Sequence, residues 1–88
     1  MVKKKVKVVN ATGLQMQSAG VFCQKANEFA SKITFNYGKN NTANAKSVLS
    51  VLGAAIKLGD EIEISCEGED EEDALKQMVK IVEDGFQG

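Results

Sequence analysis

The spacing of apolar residues is the feature that most constrains how this 88-residue chain folds. Apolar and polar side chains alternate within residues 2–9, where Val6 and Val8 alternate with lysines, and also in residues 33–37 and 62–66. This alternation is the period of a half-buried strand. In residues 15–28 and 74–82 they recur at every third or fourth position, which is the period of an amphipathic helix. Periodicity alone therefore predicts strands and helices in alternation along the chain.

Shorter elements are expected between residues 37 and 62. Residues 38–41 are a turn signal, and a short strand is expected at residues 42–44. Ser47 then opens a short apolar helix, whose inward face is expected to consist of Val48, Val51, Leu52 and Ala55. A further turn signal lies at residues 10–13.

The resulting order, β-α-β-β-α-β-α, predicts an α+β fold. Four strands form one layer and three helices form the other, which makes a two-layer sandwich. The tight turn at residues 38–41 requires antiparallel pairing of the strands that flank it. Because the chain has no proline, no linker and no internal repeat, we expect a single domain over residues 1–88.

Composition argues against several classes of function. The chain has no histidine, so it lacks the commonest general base and the commonest metal ligand. With no nucleophile–base pair and no Gly-rich phosphate loop, an enzyme is not expected, and neither is a cofactor. The formal net charge of −1 gives no reason to expect a nucleic acid or a membrane as partner. No signal-peptide or membrane-spanning run is present, which predicts a cytoplasmic protein.

Two further patterns have structural interpretations. Cys23 and Cys66 lie among apolar neighbours and form no CxxC pair, so we expect two reduced, partly buried thiols. The acidic run at residues 69–73 precedes a helical pattern. Carboxylates favour the positive end of a helix dipole, so the run predicts a helix start rather than a metal site.

Three stretches give the chain a family resemblance: residues 12–19 (TGLQMQSA), 44–52 (NAKSVLSVL) and 68–75 (GEDEEDAL). The chain resembles HPr, the histidine-containing phosphocarrier of the bacterial phosphotransferase system, over essentially its whole length. The resemblance implies an open-faced sandwich in which a four-stranded antiparallel sheet is covered by three helices.

The phosphocarrier site of that family is altered here. Gln15 occupies the position of the histidine that carries the phosphoryl group, Gln17 that of an arginine, and Ser18 that of a proline. An amide cannot form the phosphoramidate, and Gln17 lacks the cationic fork that suits phosphate. A glutamine in place of the histidine is also found in the catabolite-repression HPr-like proteins of bacilli, although those proteins usually keep the arginine. Gln15 is therefore either a remnant of a phosphate pocket or simply a polar residue at a helix start.

A second family site is a serine phosphorylated by an ATP-dependent HPr kinase. Ser47 matches it, preceded by Lys46, while Leu49 replaces the usual methionine and Ser50 the usual glycine. Ser47 is also expected to be the N-cap of the second helix, a purely structural role. The resemblance thus adds regulatory phosphorylation to the structural interpretation.

The short second helix has too many apolar residues for one buried face. In the family, the exposed ones dock partners beside the first helix, and the matching candidates are Met16, Gln17, Gly20, Val48, Leu49 and Leu52. Scattered exposed apolar residues are the alternative.

The resemblance implies a regulatory protein that is not a phosphocarrier. It would be phosphorylated on Ser47 by HPr kinase/phosphorylase and would act in carbon catabolite regulation by binding a partner protein. The partner would be a LacI-family catabolite control regulator or a metabolic enzyme. The alternative is a diverged HPr-fold interaction module without phosphorylation.

Overall fold

A computed structural model describes residues 1–10 and 13–86 of the chain. The elements are β1 (Val2–Lys7), α1 (Met16–Ala26), β2 (Lys32–Tyr37), β3 (Asn41–Asn44), α2 (Val48–Gly53), β4 (Glu61–Glu67) and α3 (Glu71–Glu83). Their order confirms the predicted β-α-β-β-α-β-α fold. The turn expected at residues 10–13 falls partly on residues 11 and 12, which lie outside the described residues.

The strands form one antiparallel sheet in the order β1-β4-β2-β3. On the face that the helices leave uncovered, cross-strand neighbours carry opposite charge: Lys5 is opposite Glu63, and Lys7 is opposite Glu61. β1 is an edge strand, and its exposed lysines disfavour pairing with another chain. The sheet thus has one polar face and one face that packs on the helices.

The core lies between the sheet and the helices. Phe22 of α1 is fully buried and makes edge-to-face contacts with Phe35 of β2 and with Phe86, at centroid distances of 5.6 and 5.9 Å. Ile62 and Ile64 of β4 are buried on the same side. This packing fixes α1 against the sheet and leaves the opposite side of the helix exposed.

α3 begins where the acidic run predicts, with Asp70 as its N-cap and three acidic residues in its first turn. The Asp70 carboxylate also reaches the segment after α1. It accepts the N–H groups of Ala30 and Ser31, each at 2.9 Å, and the hydroxyl of buried Ser31. These bonds lower the pKa of Asp70, with the Ser31 hydroxyl as the main cause. Within the described residues, no cluster of potential ligands could hold a metal ion.

The inward face predicted for α2 is partly wrong. Val51 is buried and Val48 and Leu52 are half-buried, but Ala55 is exposed. The helix ends at Gly53, and Ala55 follows with a φ of 52°, in the left-handed region. The chain has therefore already turned away from the helix axis at Ala55, and Ala54 is the buried alanine instead.

No helix in the described part of the chain is long and apolar enough to cross a membrane.

Candidate functional site

The loop before α1 fixes the position of Gln15. Gly13 has a φ of 63°, and an added Cβ there would lie 2.3 Å from the carbonyl oxygen of Ile56. Leu14 is buried and donates its N–H to that same oxygen at 3.0 Å. Because only glycine permits so close an approach, this contact sets the point at which the chain enters α1.

Ser18 ties the same loop to the helix. Its buried hydroxyl donates to the carbonyl of Gly13 at 2.7 Å and accepts the N–H of Gln15 at 2.9 Å. Gln15 is the extended N-cap residue of α1. Sequence reasoning treated Ser18 only as a departure from the family proline. Its position in the sequence could have indicated the capping role, because a serine three residues after the N-cap can hydrogen-bond back to the N-cap backbone.

Gln15, Met16 and Gln17 are all exposed. They line an open groove of about 870 Å³ between α1 and the end of α3, with Ile81 and Phe86 on the other wall. The chain has no histidine, so the described lining offers no imidazole nitrogen.

The described lining of the groove carries little positive charge that could hold a phosphate. Among its described lining residues the one cation is Lys25, whose Nζ is 3.3 Å from the carboxylate of Glu28. All basic residues of the chain are lysines, so none supplies the planar donor fork of arginine elsewhere. The geometry therefore favours the polar cap residue over the remnant phosphate pocket as the interpretation of Gln15.

Ser47 is the N-cap of α2, as predicted. Its backbone is extended and its Oγ accepts the N–H of Ser50 at 3.2 Å. The residue is half-buried. Ser50, which stands where the family has glycine, accepts the N–H of Asn44 on its own hydroxyl at 2.8 Å. Two serines thus hold the turn between β3 and α2.

The six candidate partner residues lie on two helices that pack against each other, α1 and α2. We call them the α1–α2 face: Met16, Gln17, Gly20, Val48, Leu49 and Leu52. Leu49 is 83% exposed and Met16 71%. Gly20, Val48 and Leu52 are half-buried. An added Cβ at Gly20 would meet nothing within 4 Å, so its missing side chain leaves open surface.

The α1–α2 face carries no formal charge. No charged residue occurs from position 8 to position 24 or from position 47 to position 56, and these two segments supply all of its members. Sequence reasoning identified the apolar residues but missed the length of the uncharged runs, which was visible in the sequence. The α1–α2 face is therefore a neutral surface of apolar and amide groups.

Both cysteines are free, as predicted, and both are buried rather than partly buried. Burial, followed by the nearby carboxylates of Asp70 and Glu71, raises the pKa of the Cys66 thiol from 9.0 to about 11. Cys23 donates its thiol to the carbonyl of Lys46 at 3.0 Å.

Comparison with known proteins gives a consistent result. The profile of the family described as the PTS HPr component phosphorylation site matches residues 2–84. The HPr-like protein Crh of Bacillus subtilis is 37% identical over 84 residues, which cover 96% of this chain and 98% of that protein. Crh of Halalkalibacterium halodurans is 39% identical over 83 residues, covering 94% and 98%. Among solved structures, HPr-C-His of Thermoanaerobacter tengcongensis superposes with a TM-score of 0.93 at 33% identity, covering 100% and 98% of the two chains.

Proposed function

The chain belongs to the HPr family, and on that premise we propose that it receives phosphate on Ser47 and not at the start of the first helix. Proteins of this family are phosphocarriers or regulators rather than enzymes, and they act through partner proteins. This member is a non-phosphocarrier, HPr-like regulatory protein. The proposal concerns the modification that regulates it and the partner that binds the modified form.

The first-helix position is unsuited to phosphate transfer. The nitrogen of the Gln15 amide shares its lone pair with the adjacent carbonyl, so it is a poor nucleophile. Gln17 supplies no positive charge, and Lys25 is paired with Glu28. A phosphoryl group would therefore find neither a good acceptor atom nor an unpaired cation among the described residues there.

The half-buried hydroxyl of Ser47, at the edge of an uncharged apolar face, is the observation that carries the proposal. Lys46, Ser47 and the apolar helix after them match the pattern that an ATP-dependent HPr kinase reads in the family. A phosphate adds about −1.5 to −2 charges at pH 7 and is compatible with a helix N-cap, so the fold persists. The modification changes the surface from neutral to anionic without unfolding it.

The partner is proposed to dock on the α1–α2 face. Met16 and Leu49 supply the most exposed apolar contacts, and the phosphate adds a charge-assisted one. A LacI-family catabolite control regulator or a metabolic enzyme, with a basic group beside an apolar pocket, has the required chemistry. The protein would act as a single cytoplasmic domain in carbon catabolite regulation.

The first test is phosphorylation itself. The protein is incubated with HPr kinase and ATP, and its intact mass is measured beside that of the Ser47→Ala variant. One phosphate on the wild type and none on the variant is the expected result. A wild type that stays unmodified, or a variant that is also modified, would refute the assignment to Ser47.

The second test is a calorimetric titration of a catabolite control regulator with three forms: unmodified, phosphorylated, and phosphorylated Gln17→Arg. Phosphorylation should strengthen binding, and the arginine should strengthen it further by about 1–3 kcal/mol if it makes a charge-assisted hydrogen bond. Equal affinity of the unmodified and phosphorylated forms would instead support the alternative function. In that case the chain is an interaction module of the HPr fold without a phosphorylation switch.

A further inference from the structure

The short segment between β3 and Ser47 is held more tightly than a surface loop requires. The N–H of Lys46 donates to the side-chain oxygen of Asn44 at 3.0 Å, and the N–H of Ser47 donates to the carbonyl of Asn44 at 3.1 Å. The ammonium of Lys46 donates to the carbonyl of Phe29, beyond the end of α1, at 2.7 Å. Lys46 therefore directs its ammonium toward the segment that follows α1.

α1 holds the other side of the same residue. The carbonyl of Lys46 accepts the thiol of buried Cys23 at 3.0 Å and the amide of Asn27 at 3.2 Å. The Asn27 amide also donates to the carbonyl of Cys23 at 2.9 Å, so it bridges the end of α1 to the residue before Ser47. The backbone N–H, the carbonyl and the ammonium of Lys46 thus all have partners.

We propose that Cys23 and Asn27 form a clamp on Lys46 and are positioning residues for the phosphorylation of Ser47. The inference rests on the proposed function, since it concerns how the kinase meets its acceptor serine. Neither side chain touches the reacting atoms. They act on the carbonyl that precedes Ser47, and so they set the direction in which the Ser47 hydroxyl leaves the backbone.

The clamp predicts an effect on KM rather than on kcat. When the clamp is lost, the acceptor loop samples other conformations, and the kinase binds only the fraction that is correctly placed. If that fraction falls to about a tenth, the apparent KM rises about tenfold. The step after binding involves the same serine and the same ATP, so kcat should change less than about twofold.

The kinetic test uses HPr kinase, ATP and a set of full-length variants. Asn27→Ala and Cys23→Ala remove the donors and should raise KM. Cys23→Ser keeps a donor of similar size and should restore a KM close to that of the wild type. The matched control is Asn36→Ala on the uncovered sheet face, where the lost bonds go to Thr42 and Glu63 and not to Lys46. Thermal unfolding of each variant fixes an assay temperature at which all are folded.

A second measurement is independent of the kinase. Amide hydrogen exchange of Ser47 and Ser50, followed by NMR, should be faster in Asn27→Ala and Cys23→Ala, and unchanged in Cys23→Ser and Asn36→Ala. If the wild type is phosphorylated and both alanine variants have the KM of the wild type, the clamp is refuted and the proposed function stands. Wild-type protein that takes no phosphate would overturn the proposed function, and the positioning role with it, whatever the exchange rates are.

Discussion

Removal of the Ser47 hydroxyl separates its structural role from its signalling role. In Ser47→Ala, the N–H of Ser50 loses the oxygen that accepts it at 3.2 Å. In Ser47→Asp, a carboxylate oxygen replaces the hydroxyl as acceptor, and aspartate is among the best N-cap residues. The two substitutions therefore differ mainly in whether the cap of α2 is kept.

The size of the effect follows from the geometry. Loss of an N-cap costs about 0.5–2 kcal/mol. The bond is at the long end of the usual range and the site is half-buried, so water can partly replace the oxygen. We therefore expect about 0.5–1 kcal/mol, which lowers the Tm of a domain of this size by roughly 2–8 °C. A domain of this length has a total stability of about 4–13 kcal/mol, so Ser47→Ala stays folded and is a valid unphosphorylated control.

Differential scanning calorimetry of the wild type, Ser47→Ala and Ser47→Asp measures this difference directly. The aspartate variant should unfold within about 2 °C of the wild type and the alanine variant below both. Ser65→Ala, in β4, is the control for a serine that caps no helix. A Tm for Ser47→Ala equal to that of the wild type would show that the cap bond contributes nothing, and the structural account of Ser47 would be wrong.

Three other predictions concern the remaining groups. Phosphoenolpyruvate and enzyme I should leave the protein unmodified, and Gln15→His should restore only slow transfer because Gln17 still lacks a guanidinium; transfer at ordinary HPr rates, read by radiolabel or intact mass, would contradict this. Cys66 should react slowly with maleimide in the native state, because a pKa of about 11 instead of 9.0 lowers its thiolate fraction about a hundredfold near neutral pH; rapid native labelling would show that it is accessible. Because the pKa of Asp70 is lowered in the folded protein, its ionised carboxylate stabilises the fold above its ordinary pKa of 3.8, and this stability is lost as the pH falls through the folded pKa. Asp70→Asn should therefore make Tm fall less steeply below about pH 4. The same dependence of Tm on acid pH in the variant and the wild type would refute the role of this carboxylate.

The sequence was sufficient to predict the elements, because each buried face has a clear period. It was less reliable where an element ends. α1 begins at Met16 because Ser18 holds Gln15 in an extended conformation, and α2 ends before Ala55 because the chain there turns into the left-handed region. Both boundaries depend on local hydrogen bonds and backbone geometry, and the spacing of apolar residues does not predict these.

The candidate site could likewise be predicted only in part from the sequence. Ser47 and the apolar members of the α1–α2 face could be identified from the sequence, because a cap and an excess of apolar residues are local signals. The contacts of Asp70 with Ser31, and of Cys23 with Lys46, join positions that are 39 and 23 residues apart. No local pattern pairs residues at such separations. The pairing of β2 with β4 brings Ser31 and Asp70 together, and the packing of α1 on α2 brings Cys23 and Lys46 together.

The charge pattern decides what kind of partner can read a phosphate on Ser47. The ammonium of Lys46 donates to the carbonyl of Phe29, and Lys25 is paired with Glu28, so both lysines already have partners within the chain. A phosphate on Ser47 would place about −1.5 to −2 charges at the edge of the α1–α2 face, and it would take the net charge of the chain from −1 to about −2.5 to −3 (−1 − 1.5 = −2.5; −1 − 2 = −3). At physiological ionic strength this charge is screened beyond about 8 Å. Under the proposed function, the partner is therefore expected to bring its own cation into contact with the phosphate while an apolar pocket receives Leu49. A partner without the cation should not distinguish the two forms, whereas a partner without the pocket should bind both forms weakly.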